Sequence, residues 1–342
     1  MAKFTLGKTG IKVEKNAFGA LPIQRISTDE AVHLLQKAQS GGMDYFDTAR
    51  VYSDSEEKIG KAFEGRRDRV IIATKTEALT AKDLKKDLET SLKTLKTDYI
   101  DIYQFHNTPF CPKPDQENGM YEAMLEAKKQ GKIRHIGITN HRWKVAREAI
   151  DSGLFETLQF PFSYLSGETE LGLEEECRKH DMGFICMKGL SGGLIQSSAA
   201  AYLFMTQYDV LPIWGIQREK ELDEFLSYIG NPPQMTEELR KIIEEDRKEL
   251  QGDFCRGCGY CQPCPEGIKI EDCARRSLLM RRAPLEPQLT KTVQEDMKQV
   301  EKCVHCGLCS SRCPYGLDTP SLLEKNYEDY KNVLSGKTVI KQ

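Results

Sequence analysis

Eight short apolar runs alternate with helical patterns, and two cysteine-rich runs follow near the C-terminus. Together they predict an α/β protein, a (β/α)8 barrel of the TIM type followed by a small α-helical, ferredoxin-like iron–sulfur domain. A third observation excludes the nearest alternative, a doubly wound sheet. No G-x-G-x-x-G follows the first apolar run, and the nearest glycine cluster, Gly189-Leu-Ser-Gly192-Gly193, follows the seventh. At 342 residues the chain has room for a barrel of about 250 residues and a second domain.

The N-terminus reads as a hairpin, with Phe4-Thr-Leu and Ile11-Lys-Val flanking the turn signal Gly7-Lys-Thr-Gly10. Strand patterns then occupy Asn16–Ala20, Met43–Thr48, Val70–Lys75, Ile100–His106, His135–Asn140, Thr157–Phe162, Gly183–Lys188 and Val210–Ile216. Val70-Ile-Ile-Ala-Thr and Ile100-Asp-Ile-Tyr are β-branched and largely apolar, as strands buried on both faces of a parallel sheet must be. Helical patterns begin near Ser27, Ser55, Ala81, Asn118, His141, Glu170 and Ser197, and the last is Lys220–Tyr228. Several open on capping residues, such as Thr28-Asp-Glu and Ser55-Glu-Glu. Asn231-Pro-Pro-Gln ends the rhythm, and a charged connector helix over about residues 236–250 leads to the cysteines. The expected domains are a barrel over 1–235, a connector and iron–sulfur domain over 236–330, and a tail over 331–342.

The first cysteine run is Cys255-x2-Cys258-x2-Cys261-x2-Cys264-Pro, and the second is Cys303-x2-Cys306-x2-Cys309-x3-Cys313-Pro. The second has the ligand spacing of a bacterial ferredoxin [4Fe–4S] site, in which three thiolates hold one cluster and the fourth reaches across to the other. Eight thiolates suffice for two [4Fe–4S] clusters. The first run is one residue short between Cys261 and Cys264, which leaves Cys273 as an alternative fourth ligand. Zinc sites show paired CxxC knuckles rather than triplets, and disulfides need an oxidising compartment, so both fit the spacing less well.

Catalysis in such a barrel sits at the C-terminal ends of the strands. There the sequence places Asp47 and Tyr52 after the second strand, Lys75 on the third, His106 on the fourth, Thr139 and Asn140 on the fifth, and Gln159 on the sixth. A Lys–Asp pair beside a Tyr, with a His able to orient a carbonyl oxygen, is acid–base equipment for carbonyl reduction. The lysine is expected to lower the pKa of the phenol from its usual value of about 10.

The motifs Asp47-Thr-Ala-x-x-Tyr52, Ser55-Glu-x-x-Ile-Gly60, Ala-Thr-Lys75 and Tyr103-Gln-Phe-His106 resemble those of the aldo-keto reductases. The chain is most similar to the branch with a C-terminal [4Fe–4S] ferredoxin-like module. The resemblance implies Tyr52 as general acid, Lys75 as its modulator, Asp47 as the holder of Lys75, and His106 as the group that positions the substrate carbonyl. It implies that Thr139, Asn140 and Gln159 hold a nicotinamide carboxamide. It also implies that the backbone of Gly189, Gly192, Gly193, Gly215, Ile216, Gln217 and Arg218 meets the pyrophosphate and adenosine end. Met187 stands where the family often has a stacking aromatic, and Lys188 follows it. Glu221 stands where an arginine for the 2′-phosphate is expected, so Arg218 is the remaining phosphate clamp. Glu221 or Glu224 would suit adenine or a ribose hydroxyl, and NADP and NAD both stay open.

The expected function is therefore an NAD(P)-dependent oxidoreductase that reduces a carbonyl or oxidises an alcohol, coupled or adjacent to two clusters that relay electrons. The alternatives are an electron-transfer or docking protein with a barrel that does not turn over, and an enzyme whose clusters are structural. Expected partners are a small carbonyl or alcohol substrate and a ferredoxin-like or other redox protein. A flavin would link one- and two-electron chemistry, but no motif supports one. The net charge of −3, without basic runs, speaks against nucleic acid. No apolar run is long enough for a membrane. Twelve cysteines without an N-terminal secretion pattern point to the cytoplasm.

Overall fold

The computed structural model describes residues 3–250, 252 and 254–340. Short strands β1 (Phe4–Thr5) and β2 (Lys12–Val13) pair antiparallel, with Phe4 opposite Val13. The turn between them demands glycine at Gly7. Its φ is +47°, and a Cβ there would stand 2.4 Å from the backbone nitrogen of Gly183.

Eight parallel strands follow: β3 (Ala17–Gly19), β4 (Tyr45–Asp47), β5 (Ile71–Thr76), β6 (Ile100–His106), β7 (Ile133–Thr139), β8 (Thr157–Pro161), β9 (Gly183–Met187) and β10 (Val210–Gly215). They close in chain order, with β10 beside β3. Strand β6 is buried along its whole length, its Ile100, Ile102, Tyr103 and Phe105 side chains packed in the core alongside the polar Asp101, Gln104 and His106. Inside the barrel Ala17, Tyr45, Ala73, Ile102, Ile185, Leu211 and Ile213 form one apolar cluster, which Leu6 and Val13 of the hairpin join.

Helices α1 (Thr28–Ser40), α2 (Ser55–Ala62), α3 (Ala81–Thr94), α4 (Met120–Lys129), α5 (Trp143–Ser152), α6 (Glu168–Lys179), α7 (Ser198–Thr206) and α8 (Glu219–Ser227) follow the strands in turn. Local signals start them. Ser27 and Glu30 close a capping box on α1, and the Thr80 hydroxyl accepts from the amide of Asp83 at the head of α3.

By contacts the chain divides into two compact units. One holds residues 1–189 and 198–237; the other holds 190–197 and 238–342. The second unit is helical. After α9 (Glu237–Glu249) it contains α10 (Ile270–Cys273), α11 (Arg276–Arg282), α12 (Leu285–Gln288), α13 (Lys291–Lys298), α14 (Leu308–Arg312) and α15 (Thr319–Leu334). Its core joins Ile268, Ile270, Cys273, Met280, Met297, Val300, Leu323 and Tyr330 to Cys261 and Cys309. In α9 only Asp246 is buried, in keeping with a solvated connector. Helix α15 continues through residues 331–334, because Leu323, Asn326 and Tyr330, three and four residues apart, share its buried face. Among the described residues, no helix is long and apolar enough to cross a membrane.

Candidate functional site

Parallel register gathers the polar residues at one end of the barrel. Gly19 stands opposite Asp47, Asp47 opposite Ala73, Lys75 opposite Gln104, His106 opposite Thr139, and Thr139 opposite Gln159. The Lys75 ammonium donates to Asp47 Oδ1 at 2.5 Å and to the carbonyl of Thr48 at 2.6 Å. Both residues of the pair are buried, at 1 % and 2 % exposure. Burial pushes the Asp47 carboxyl up and the Lys75 ammonium down, and the charge of each partner holds the other back. Gln104 Nε2 reaches Gln159 Oε1 at 2.9 Å, and the amides of Gln104 and Gln159 approach Asp47 at 3.5 and 3.4 Å. Gly137 makes room for this layer: a Cβ there would stand 2.4 Å from Thr157 Oγ1 and 2.9 Å from Gln104 Cγ.

Tyr52 lies in the tight connection between β4 and α2, where its amide donates to Ala49 O at 3.0 Å and its carbonyl accepts from Ser55 N at 2.8 Å. The Lys75 ammonium lies 5.2 Å from the centroid of its ring. The His106 ring meets it edge-on, with centroids 6.0 Å apart. The expectation that Lys75 lowers the phenol's pKa is reversed. Tyr52 is raised above its ordinary value, by burial first and then by Asp47 and Glu77. Desolvation is the largest cause of the shift. Burial, with Lys75 second, brings the His106 imidazole down to about 3, so it is neutral in any ordinary buffer. Its Nδ1 is buried without a hydrogen-bond partner, 3.9 Å from Glu77 Oε1.

The residues that the resemblance assigns to a nicotinamide cofactor fall into two sets. Thr139 is buried beside the polar layer, and Gln159 is a member of it, its amide already engaged by Gln104 and Asp47. Gln217 Oε1 is buried and has no hydrogen-bond partner, which suits a group that a ligand satisfies. Met187, partly buried, packs against the barrel-interior cluster. Lys188 has φ +60° and acts electrostatically on the buried His141. Gly215 follows in β10, where a Cβ would stand 3.1 Å from Pro22, and Ile216 is buried. Other groups are engaged by the protein itself. Asn140 Oδ1 accepts from the amides of His141 and Arg142 at 2.9 and 2.8 Å, and its Nδ2 donates to Thr108 O at 2.9 Å. Glu221 accepts from the amides of Gln217 and Arg218, both at 3.0 Å, and from Arg218 Nε at 2.8 Å. Glu224 accepts from the Ser198 hydroxyl. In the second unit Ser191, Gly192 and Gly193 form a short turn of positive φ values.

The cysteine runs interleave. Cys255, Cys258 and Cys261 line one cavity together with Cys313 of the other run, around about 360 Å³ of empty space. Cys303, Cys306 and Cys309 line a second, of about 400 Å³, together with Cys264 and Cys261. Ile270 and Leu322 wall the first, and Ile268 and Leu323 the second. Among the described residues no three His, Cys, Asp or Glu side chains close on a single ion position. A thiol-walled cavity with three ligands from one run and one from the other fits a multi-iron cluster that holds each thiolate on its own iron. Cys273 lines neither cavity. It is fully buried, and its Sγ lies 3.6 Å from Asp296 O.

A family model for the aldo/keto reductases matches residues 15–201, more than half of the chain. The chain belongs to the aldo/keto reductase family. A second model, for a 4Fe-4S dicluster domain, matches residues 254–318. The oxidoreductase YrpG of Bacillus subtilis (strain 168) is 29% identical over 318 residues, spanning 77% of this chain and 96% of that protein. The aldo-keto reductase YhdN of the same organism is 31% identical over 211 residues, spanning 56% of this chain and 62% of its own length. Among solved structures, an aldo-keto reductase of Klebsiella pneumoniae in complex with NADPH superimposes with a TM-score of 0.61 at 22% identity, covering 72% of this chain and 96% of that one. The holo form of AKR11C1 from Bacillus halodurans gives 0.61 at 23%, with the same coverage. At these identities the structural likeness shows the shared barrel.

Three residues of this reductase's site have no role assigned from sequence. Gln104 ties Gln159 to Asp47; it lies two residues before His106 on β6, so strand alternation puts both on one face. Glu77 lies just past β5, near His106 and Tyr52. His141 is buried and interacts electrostatically with both His106 and Lys188. No spacing rule marks Glu77 or His141, since each is brought in by a loop.

Proposed function

We propose that this aldo/keto reductase interconverts a small carbonyl compound and its alcohol, with Tyr52 as proton donor. The observation that carries the reading is the buried Lys75–Asp47 pair under the Tyr52 ring, with His106 edge-on beside it. Burial keeps the phenol protonated, as a donor must be at neutral pH. A neutral His106 offers an N–H to the substrate oxygen without bringing a charge. Proton transfer leaves a phenolate, which the adjacent ammonium of Lys75 stabilises, and Asp47 keeps that ammonium charged and in place. NADP(H) or NAD(H), when bound, supplies or accepts the hydride; the NADPH held by the Klebsiella relative supports the first. Thr139, Gln159 and Gln217 offer groups to the nicotinamide and the chain beyond it. Arg218 offers a guanidinium to the nucleotide phosphate end.

We assign the barrel, residues 1–235, to this chemistry and residues 236–330 to the iron–sulfur domain. Two [4Fe–4S] clusters sit on Cys255, Cys258, Cys261 and Cys313, and on Cys264, Cys303, Cys306 and Cys309. They supply one-electron exchange with a redox partner. A structural contribution is favoured by one observation: the second unit's apolar core is small and includes cluster-cavity cysteines among its members. The test is anaerobic purification with iron and sulfide counted, followed by NADPH and NADH consumption against a panel of aldehydes and ketones. Turnover that is unchanged in Tyr52→Phe would sink the catalytic assignment. Cluster signals that dithionite, NADPH and substrate never alter would leave the clusters structural.

A further inference from the structure

Arg275 precedes α11, two residues after Cys273, and shares the second unit with Gly192 and Gly257. Its Nη2 donates to the carbonyl of Gly192 at 2.6 Å. A Cβ on Gly257 would stand 2.3 Å from its Nη1, and one on Gly192 would stand 2.6 Å away. Both glycines have positive φ, +61° and +65°. The guanidinium lies between the turn 190–197 and the loop that joins Cys255 to Cys258, beside two glycines whose positive φ disfavours a side chain. The Gly257 amide in turn donates to Cys255 Sγ at 3.4 Å.

The charge state of this arginine sets it apart from its neighbours. Arg282 is neutralised by Asp246 at 2.8 Å and Glu249 at 2.6 Å, and Arg281 by Asp329 at 2.6 Å. Among the described residues no carboxylate lies within ion-pair distance of Arg275, and its Nε is buried without a hydrogen-bond partner. Asp272 and Arg276 act on it from farther away, with opposite signs. Arg256 lines the cavity of Cys255, Cys258, Cys261 and Cys313, but its guanidinium stacks over the rings of Phe254 and Tyr315, at 4.5 and 4.6 Å. A half-buried cation that lacks an anion is costly unless a counter-charge arrives. The thiol nearest it electrostatically is Cys255.

We propose that Arg275 is the counter-charge of the cluster on Cys255, Cys258, Cys261 and Cys313, and that it raises the reduction potential of that cluster. Reduction adds negative charge beside a fixed cation, and net charge and hydrogen bonding near the sulfurs set such potentials. The inference rests on the proposal that clusters occupy these thiols, and iron and sulfide analysis separates the two: absent iron refutes the clusters, whereas full iron with unmoved potentials refutes only the role of Arg275.

The experiment is an anaerobic redox titration of the purified holoprotein, followed by EPR. Dithionite splits at its S–S bond into two sulfur dioxide radical anions, each of which gives one electron to a cluster and ends, with water, as bisulfite, while no bond of the protein is made or broken. In Arg275→Gln one of the two reduction waves falls by about tenfold in equilibrium constant, about 59 mV for one electron, while the other wave stays in place as an internal control. Arg275→Lys, which keeps the charge, retains the wild-type potential. A merely structural arginine would leave both waves where they are. Full iron and unchanged potentials in Arg275→Gln overturn the proposal, as does an Arg275→Lys protein whose potential falls as far as that of the glutamine variant. Should the glutamine variant come out short of iron, the lysine variant decides. Full iron at the wild-type potential sustains the proposal, and equal iron loss overturns it, because shape rather than charge would then be the requirement.

Discussion

The barrel's polar layer and the cysteine unit solve the same problem, polar groups inside a protein, in opposite ways. In the barrel Lys75 pairs with Asp47 and Gln104 Nε2 donates to Gln159 across the strands, with Gln104 Oε1 left without a partner in this layer. The ladder of the closed sheet holds them in register, so the site is preorganised by the protein alone. In the second unit the thiols face two cavities, and a short core of helices surrounds them. On the proposal that clusters fill these cavities, the order of the thiols and of the Arg275 charge would come from what they hold. The contrast is then between a barrel ordered by its own hydrogen bonds and a cysteine unit that would draw order from what its thiols bind.

The largest expected effect tests that contrast directly. Stripping iron with an anaerobic chelator should unfold the second unit while the barrel survives, read as partial loss of helical circular dichroism and proteolytic cleavage confined to residues beyond about 250. A cysteine unit that keeps its structure without iron would break the comparison. Next in size, Tyr52→Phe should lower kcat/KM for carbonyl reduction by about 10²- to 10⁴-fold, the usual contribution of a positioned general acid, with the melting temperature little changed.

Asp47→Asn should destabilise the barrel by about 3–5 kcal/mol, because it leaves the Lys75 ammonium buried without its anion; urea unfolding followed at the barrel tryptophans measures it. A loss under about 1 kcal/mol would mean that the layer is less preorganised than the geometry shows. His106 sharpens the same point through pH. Its pKa is about 3 in the folded protein against about 6.5 unfolded. Between those values the unfolded chain binds a proton that the folded one refuses. Its contribution is therefore fully present above pH ~6.5 and lost as pH falls toward 3. His106→Asn should flatten the slope of stability against pH in that window, and wild-type kcat/KM should show no limb near pH 6.5 from this group. The smallest effect is at the rim. Arg218 is well exposed and paired with Glu221, and exposed pairs are worth about 0.2–1 kcal/mol. Glu221→Gln should thus improve NADPH binding over NADH by no more than about fivefold, measured by fluorescence titration.

Much of this architecture is legible in one dimension. Short, largely apolar runs such as Val70-Ile-Ile-Ala-Thr read as buried strands, and their alternation with helical patterns leaves a closed parallel barrel as the simplest arrangement. The tetrad is legible because strand ends meet in any barrel, so Asp47, Lys75 and His106 had to lie near one another once the strands were known. The two cysteine triplets likewise announce metal chemistry by spacing alone.

Other features exist only after folding, because they depend on sums over distant neighbours. Desolvation by the whole barrel, rather than the nearest cation, sets the direction of the Tyr52 shift. Cys264 and Cys273 are both candidates in sequence, yet packing turns one toward a cavity and seals the other in the core. The Asn140 side chain, legible as a cofactor contact, is engaged by its own loop. Arg275 has no motif at all; the close approach of Gly192 and Gly257, sixty-five positions apart in the chain, creates its place. Spacing along the chain reports which groups can meet, whereas burial and charge, which decide what they do on meeting, are properties of the assembled volume.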